Sequence, residues 1–117
     1  MATKVIVPSS ATNLQGRRYG TTTIACHASD LASCDVLDIR DYKDIAIKLP
    51  ASATTFTVHA SETEGGTYVL VDNIGTNGVV TAPASKWTAL DITKIGPFGF
   101  LKIFTSTAGT AAVVGKS

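Results

Sequence analysis

The sequence predicts an all-β protein: an antiparallel β-sandwich or jelly roll of roughly eight to ten short strands, with an extended N-terminal arm. Three observations predict it. The chain holds 17 Thr, 10 Val and 9 Ile against 2 Glu and 1 Met. The first three are stiff at χ1 and suit strands, while the helix formers are scarce. Short apolar runs alternate with turn signals at roughly 8–12-residue spacing. No stretch supplies the helical crossover of a dozen or more residues that parallel strands require. At 117 residues one domain is expected. Residues 1–20 are expected as the arm and 21–117 as the sandwich.

Lys4 to Val7 can form a short strand, but Pro8, Ser9, Ser10, Thr12, Asn13 and Gly16 follow, a polar stretch that reads as an arm or long loop. Arg17, Arg18 and Tyr19 close it. Thr21 to Cys26 is a β-branched strand. Ala28 to Ser33 is the best helix candidate and spans about one turn. Asp35 to Ile39 alternates around Val36 and Leu37, and Arg40 to Lys43 turns the chain. Asp44 to Leu49 alternates cleanly, with Ile45, Ile47 and Leu49 on one face, until Pro50 stops it. Thr54 to Ser61 repeats the pattern with Phe56, Val58 and Ala60. Glu64-Gly65-Gly66 then turns it into Thr67 to Val71, a hairpin. Asn77-Gly78 is a strong hairpin signal. Val79 to Ala82 and Lys86 to Leu90 are short strands around Pro83. Asp91 can cap a helical turn reaching Gly96. Phe98 to Thr105 is a strongly apolar strand, Ala108-Gly109 turns, and Thr110 to Val114 is the last strand.

Ten basic against nine acidic residues leave a formal charge of +1. A general electrostatic grip on nucleic acid or anionic lipid is therefore not expected. The N-terminus lacks the apolar core of roughly 7–15 residues that a secretory signal needs. No run approaches the roughly 20 apolar residues of a membrane-spanning helix. Synthesis in the cytosol is expected, with export only as part of something larger.

Chemistry is sparse. Cys26 and Cys34 are the only cysteines, and in a reducing cytosol such a pair is usually free and buried. A disulfide across the loop is one alternative. A metal site on Cys26, His27, Asp30 and Cys34 is another, although its spacing matches none of the common zinc patterns. Cys26 beside His27 could form a thiolate pair, but neighbours along a strand point apart. His59 falls opposite Phe56 and Val58 and is expected on the surface. Asp35, Asp38, Asp41 and Asp44 recur every third residue. Strand geometry divides them between faces, with Arg40 and Lys43 as local partners, and a calcium loop would need a different ligand pattern. Glu62 and Glu64 read as a solvated hairpin tip rather than a glycosidase pair. No nucleophile elbow or phosphate loop is present. No catalytic residue, metal or cofactor is expected, and the protein is not expected to be an enzyme.

Trp87 reads first as core, with an exposed partner-binding or sugar-stacking role as the alternative. Phe98 to Thr105 is nearly apolar on both faces. One face must pack inside, so Phe100 and Phe104 are expected on the other, as an association stripe.

Three segments together resemble a known family: LDIRDYKDIAIKLP, TFTVHASETEGGTYVLV and WTALDITKIGPFGFLKIFTSTAGTAAVVGK. They are similar to small β-sandwich structural proteins of tailed bacteriophages, in particular capsid cement or head decoration proteins, over roughly residues 35–116. The resemblance implies a virion protein assembled in the host cytoplasm. It implies binding to the outside of the head, with the major capsid protein and copies of itself, as homodimer or homotrimer, for partners. No cofactor, nucleic acid or membrane is implied. Arg17, Arg18 and Tyr19 are the expected capsid contacts, and Phe100, Phe104 and Trp87 the expected subunit interface. The alternatives are a carbohydrate-binding module, with Trp87, Tyr68 and Tyr42 as platform, or a fibre- or tail-associated adhesion domain.

Overall fold

The computed structural model describes residues 3–12, 18–83, 85–95 and 97–116. Among them lie eleven strands: β1 (Thr3–Val5), β2 (Val7–Thr12), β3 (Arg18–Cys26), β4 (Val36–Asp38), β5 (Asp44–Lys48), β6 (Thr55–Ser61), β7 (Val69–Leu70), β8 (Val79–Thr81), β9 (Trp87–Ala89), β10 (Phe100–Thr105) and β11 (Gly109–Lys116). Among the described residues helix is limited to a 3-10 turn, Leu31–Ser33, and the single turn α1 (Ile92–Ile95).

The strands form two sheets. The first has the order β1-β4-β10-β6-β7, with β8 also on β6, and the second has the order β2-β3-β11-β5-β9. From β3 onward, with β7 and β8 counted as one edge, the sheets read first-eighth-third-sixth and second-seventh-fourth-fifth. That is the winding of a jelly roll, as the sequence predicts. The core lies between the sheets. Period-two alternation sends Ile45 and Ile47 of β5, Phe56 and Val58 of β6, Leu101 and Ile103 of β10, and Ala111 and Val113 of β11 into it.

The described residues of the 1–20 stretch are extended, but they are paired into the sandwich. β1 runs parallel to β4, and β2 runs antiparallel to β3. The chain changes sheets at Ile6, which is buried at the corner. This segment therefore covers one edge of each sheet, groups that would otherwise present open hydrogen-bonding rows. The boundary expected at residue 20 falls inside β3. β1–β4 is the one parallel pair among the named strands, and it is joined through β2 and β3 of the other sheet.

Local departures have local causes. The helix expected from Ala28 begins only at Leu31. The ring nitrogen Nδ1 of His27 accepts the backbone N–H groups of Ser29 and Asp30, at 3.2 and 3.0 Å, and holds that stretch as a turn. Asp30 then caps the 3-10 turn through Ala32 N–H. The Asn77-Gly78 turn does not zip β7 to β8. β10 occupies the other edge of β6, so β7 and β8 line up in succession along its free edge.

Candidate interaction surface

The two sheets present unlike outer faces. On the first sheet, Phe100, Lys102 and Phe104 of β10 point outward beside Ser61, His59 and Thr57 of β6. This face is partly dressed by its own chain. The Arg40 guanidinium lies 4.8 Å from the Phe100 ring centroid and is held there by Asp38, 2.8 Å away. The His59 ring stacks tilted on Phe104, with centroids 4.6 Å apart. Lys102 Nζ donates to the Leu31 carbonyl and sits over Tyr68.

This corrects the expected association stripe. Phe100 is 6% exposed, so it has almost no surface left for a partner, and Phe104 is half-buried. The reason is the cover that Arg40 and His59 provide from other segments, which alternation within β10 does not reveal. His59, expected on the surface, is half-buried; burial lowers its pKa, and its Nδ1 has no hydrogen-bond partner.

The outer face of the second sheet is bare among the described residues. Cross-strand register lines up Ala89, Ala46, Val114, Thr21 and Val7 in one row. On one side lies the row Asp44, Lys116, Tyr19, and on the other the row Trp87, Lys48, Ala112, Thr23. Shallow grooves of about 410 and 500 Å³ flank Val114. Trp87 is 49% exposed, so the core position expected first for it is overturned. β9 is an edge strand, and the Trp87 ring lies on the outward face beside Lys48, whose Nζ is 5.2 Å from its centroid. Tyr19 and Val7 are likewise exposed.

Arg17 lies outside the described residues. For Arg18 only the backbone is described, at the start of β3. Of the expected contacts, Tyr19 and Trp87 share the second sheet's outer face, and Phe100 and Phe104 lie on the opposite side of the molecule. The register rows that unite Tyr19, Val114, Ala46 and Trp87 were not singled out from the sequence. Their signal was the run of small outward residues between the core positions of β5 and β11.

The sequence motifs with chemical promise separate. Cys26 and Cys34 are free and buried. Burial pushes the Cys26 thiol up to about 12, the reverse of what a nucleophile needs. The neighbouring His27 ring is engaged with backbone N–H groups. Asp35 is buried and accepts Ala25 N–H at 2.8 Å, Asp38 pairs with Arg40, and Asp44 stands 3.8 Å from Lys116. Among the described residues no three His, Cys, Asp or Glu side chains gather as metal ligands. Glu64 accepts the Thr3 hydroxyl at an exposed hairpin tip. Tyr42 is buried, Tyr68 accompanies the first sheet and Trp87 the second, so they form no common sugar platform.

The fold and its surfaces define a jelly-roll sandwich whose first sheet is partly dressed by its own chain and whose second sheet presents a row of small residues flanked by Asp44, Lys116 and Lys48. No protein-family model and no curated protein matches the sequence. Among solved structures the chain is similar in fold to the SPBc2 prophage-derived protein YomS. The two are 8% identical, the match covers 93% of this chain and 100% of that one, and the TM-score is 0.53.

Proposed function

We propose that this chain is a non-enzymatic structural protein of a tailed-phage virion, a cement or decoration protein. It binds the outside of the head and stabilises contacts between major capsid protein subunits, without a cofactor. One observation carries the reading: large apolar side chains stand on the outside of a small, weakly charged sandwich. Val5, Val7, Tyr19, Val69, Leu70, Val79 and Trp87 are all exposed. Apolar groups that share one face mark association, and Val7, Tyr19 and Trp87 share the outer face of the second sheet.

The phage context rests on the family resemblance of residues 35–116 and on the likeness in fold to a prophage-derived protein. Jelly rolls also serve as capsid and lectin domains, a fold-level analogy only. Each contact with the head is modest, and many copies on one lattice act together.

The test is the virion itself. Gradient-purified particles should contain the protein at a fixed copy ratio to the major capsid protein, measured by quantitative mass spectrometry. Heads lacking it should release DNA at lower temperature. Absence from washed particles, or equal heat resistance with and without it, overturns the reading. The exposed Trp87 also suits an adhesion domain on a fibre or tail. Immunogold labelling of tails rather than heads would favour that alternative.

A further inference from the structure

We propose that Asn77 is a deamidation site gated by its own turn. It stays unreactive while β8 is docked on β6, and it converts to aspartate or isoaspartate once that edge opens.

The residues that make the turn also make it vulnerable. Thr76 and Val79 exchange two backbone hydrogen bonds, 2.9 and 3.0 Å long, around Asn77-Gly78. The φ angles are +52° at Asn77 and +86° at Gly78, the two positive values of a type I′ turn. Asparagine tolerates that conformation and glycine takes it freely, so the turn calls for this pair. Glycine is also the following residue that least hinders attack on an asparagine side chain. The other asparagines, Asn13 and Asn73, precede Leu14 and Ile74, whose branched side chains crowd that approach.

The only co-reactant is water. The Gly78 backbone nitrogen loses its proton and attacks Asn77 Cγ, and the side-chain nitrogen leaves as ammonia. Water then opens the cyclic imide at either carbonyl. One opening leaves an aspartate on a normal chain. The other routes the main chain through the side-chain carbons, an isoaspartate.

The folded turn blocks the attack at two points. Gly78 is buried, and its N–H, the nucleophile's own, donates to the Ile74 carbonyl at 3.0 Å. The Thr76–Val79 pairing also holds the Asn77 ψ near the roughly +30° of the turn, and ring closure needs rotation about that bond. Both blocks go when the pairing breaks. β8 is a three-residue strand that pairs with β6 alone among the named strands, and Val79 is exposed. Such an edge opens at low cost.

The two products then part. Aspartate is accepted in the left-handed region, so the turn re-forms. Isoaspartate lengthens the main chain, and the turn no longer matches the Thr76–Val79 pair. β8 stays off β6, and Val80 and Ala82 lose their contacts with the core. None of this depends on whether the protein decorates a virion, and purified protein suffices to test it.

Peptide mapping by mass spectrometry, after incubation at mildly alkaline pH, follows the exchange of –NH2 for –OH at Asn77. The native protein should convert at least about tenfold more slowly than the same chain in denaturing urea. In lower urea the rate should climb before the circular dichroism transition begins. Val80→Asp, which weakens β8 and leaves the Asn-Gly pair intact, should raise the native rate severalfold and leave the unfolded rate unchanged. Asn77→Gly keeps a turn of the same type and should show no mass change in that peptide. The purified isoaspartate form should lose amide-exchange protection over residues 79–82, and the aspartate form should keep it. Equal native and unfolded rates overturn the proposal, as does an unfolded chain in which Asn77 does not convert. So does a rate that rises only with global unfolding, a native rate unmoved by Val80→Asp, or an isoaspartate form as protected as the wild type. The urea series uses the wild-type chain, so the test stands even if Val80→Asp fails to fold.

Discussion

Gly20 and Gly115 are partners across the β3–β11 ladder, and together they leave the slot that Tyr42 fills. A Cβ on Gly115 would lie 2.9 Å from the Tyr42 ring, and one on Gly20 would lie 2.5 Å from its hydroxyl oxygen. That hydroxyl donates to the Ile6 carbonyl at 3.3 Å and ties the sheet-switching corner to the core. Gly115→Ala should cost about 1–3 kcal/mol through overpacking. Tyr42→Phe should cost about 1 kcal/mol through the lost hydrogen bond. Urea denaturation measures both. Two other residues, partly buried, contribute to the acid response. Burial lowers the His59 pKa from 6.5, so the unfolded chain binds a proton there more readily than the folded one. Stability should be full above pH 6.5 and fall as pH drops below it. The Asp38 carboxyl is held low by its hydrogen bond from Arg40, so its contribution is present above about pH 4 and is lost as pH falls further. His59→Gln should flatten the first decline and Arg40→Gln the second, read as denaturation midpoints against pH. Declines unchanged in both variants would assign the acid response to other groups.

At the scale of the element, sequence and structure agree wherever a strand's inner face decides its register. Asp44–Leu49 and Thr54–Ser61 have one face that only a core can take, so Ile45, Ile47, Phe56 and Val58 were legible as buried. The outer faces were not legible. Phe100 and Trp87 are both aromatic residues of short strands, yet Arg40 over one leaves it 6% exposed while Lys48 over the other leaves it 49% exposed. Cover by a distant segment leaves no periodic trace. The N-terminal stretch hid its pairing for a related reason. Pro8 and the serines after it argue against a central strand, but β2 is an edge strand, where such residues are tolerated. Removing residues 1–12 should therefore do more than shorten an arm. It uncovers one edge of each sheet and deletes Ile6, a fully buried side chain worth about 2 kcal/mol by itself. The truncated protein should melt at least about 10 °C lower by circular dichroism. An unchanged melting temperature would show that β1 and β2 carry none of the stability.

For the molecule as a whole, sparse charge and a jelly roll with one bare face belong together. A sandwich this small cannot bury every apolar group, since surface dominates volume at its size. Its uncovered groups stand on both sheets, Val5, Val69, Leu70 and Val79 on the first and Val7, Tyr19 and Trp87 on the second. Trp87 stands at the rim of the small-residue face, on an edge strand of three residues, with Lys48 over its ring. A tryptophan held in a core costs roughly 3–5 kcal/mol when cut to alanine. One on an open face costs within about 0.5 kcal/mol. The same side chain would dominate a contact, because exposed indoles are frequent anchors of interfaces. Trp87→Ala should therefore separate folding from association. Its urea midpoint should stay near that of the wild type, while, on the head-binding reading proposed above, its retention on capsids in a pelleting assay should fall at least tenfold, about 1.4 kcal/mol or more. Loss of stability with retention intact would return Trp87 to a packing role and leave the apolar rim without a partner.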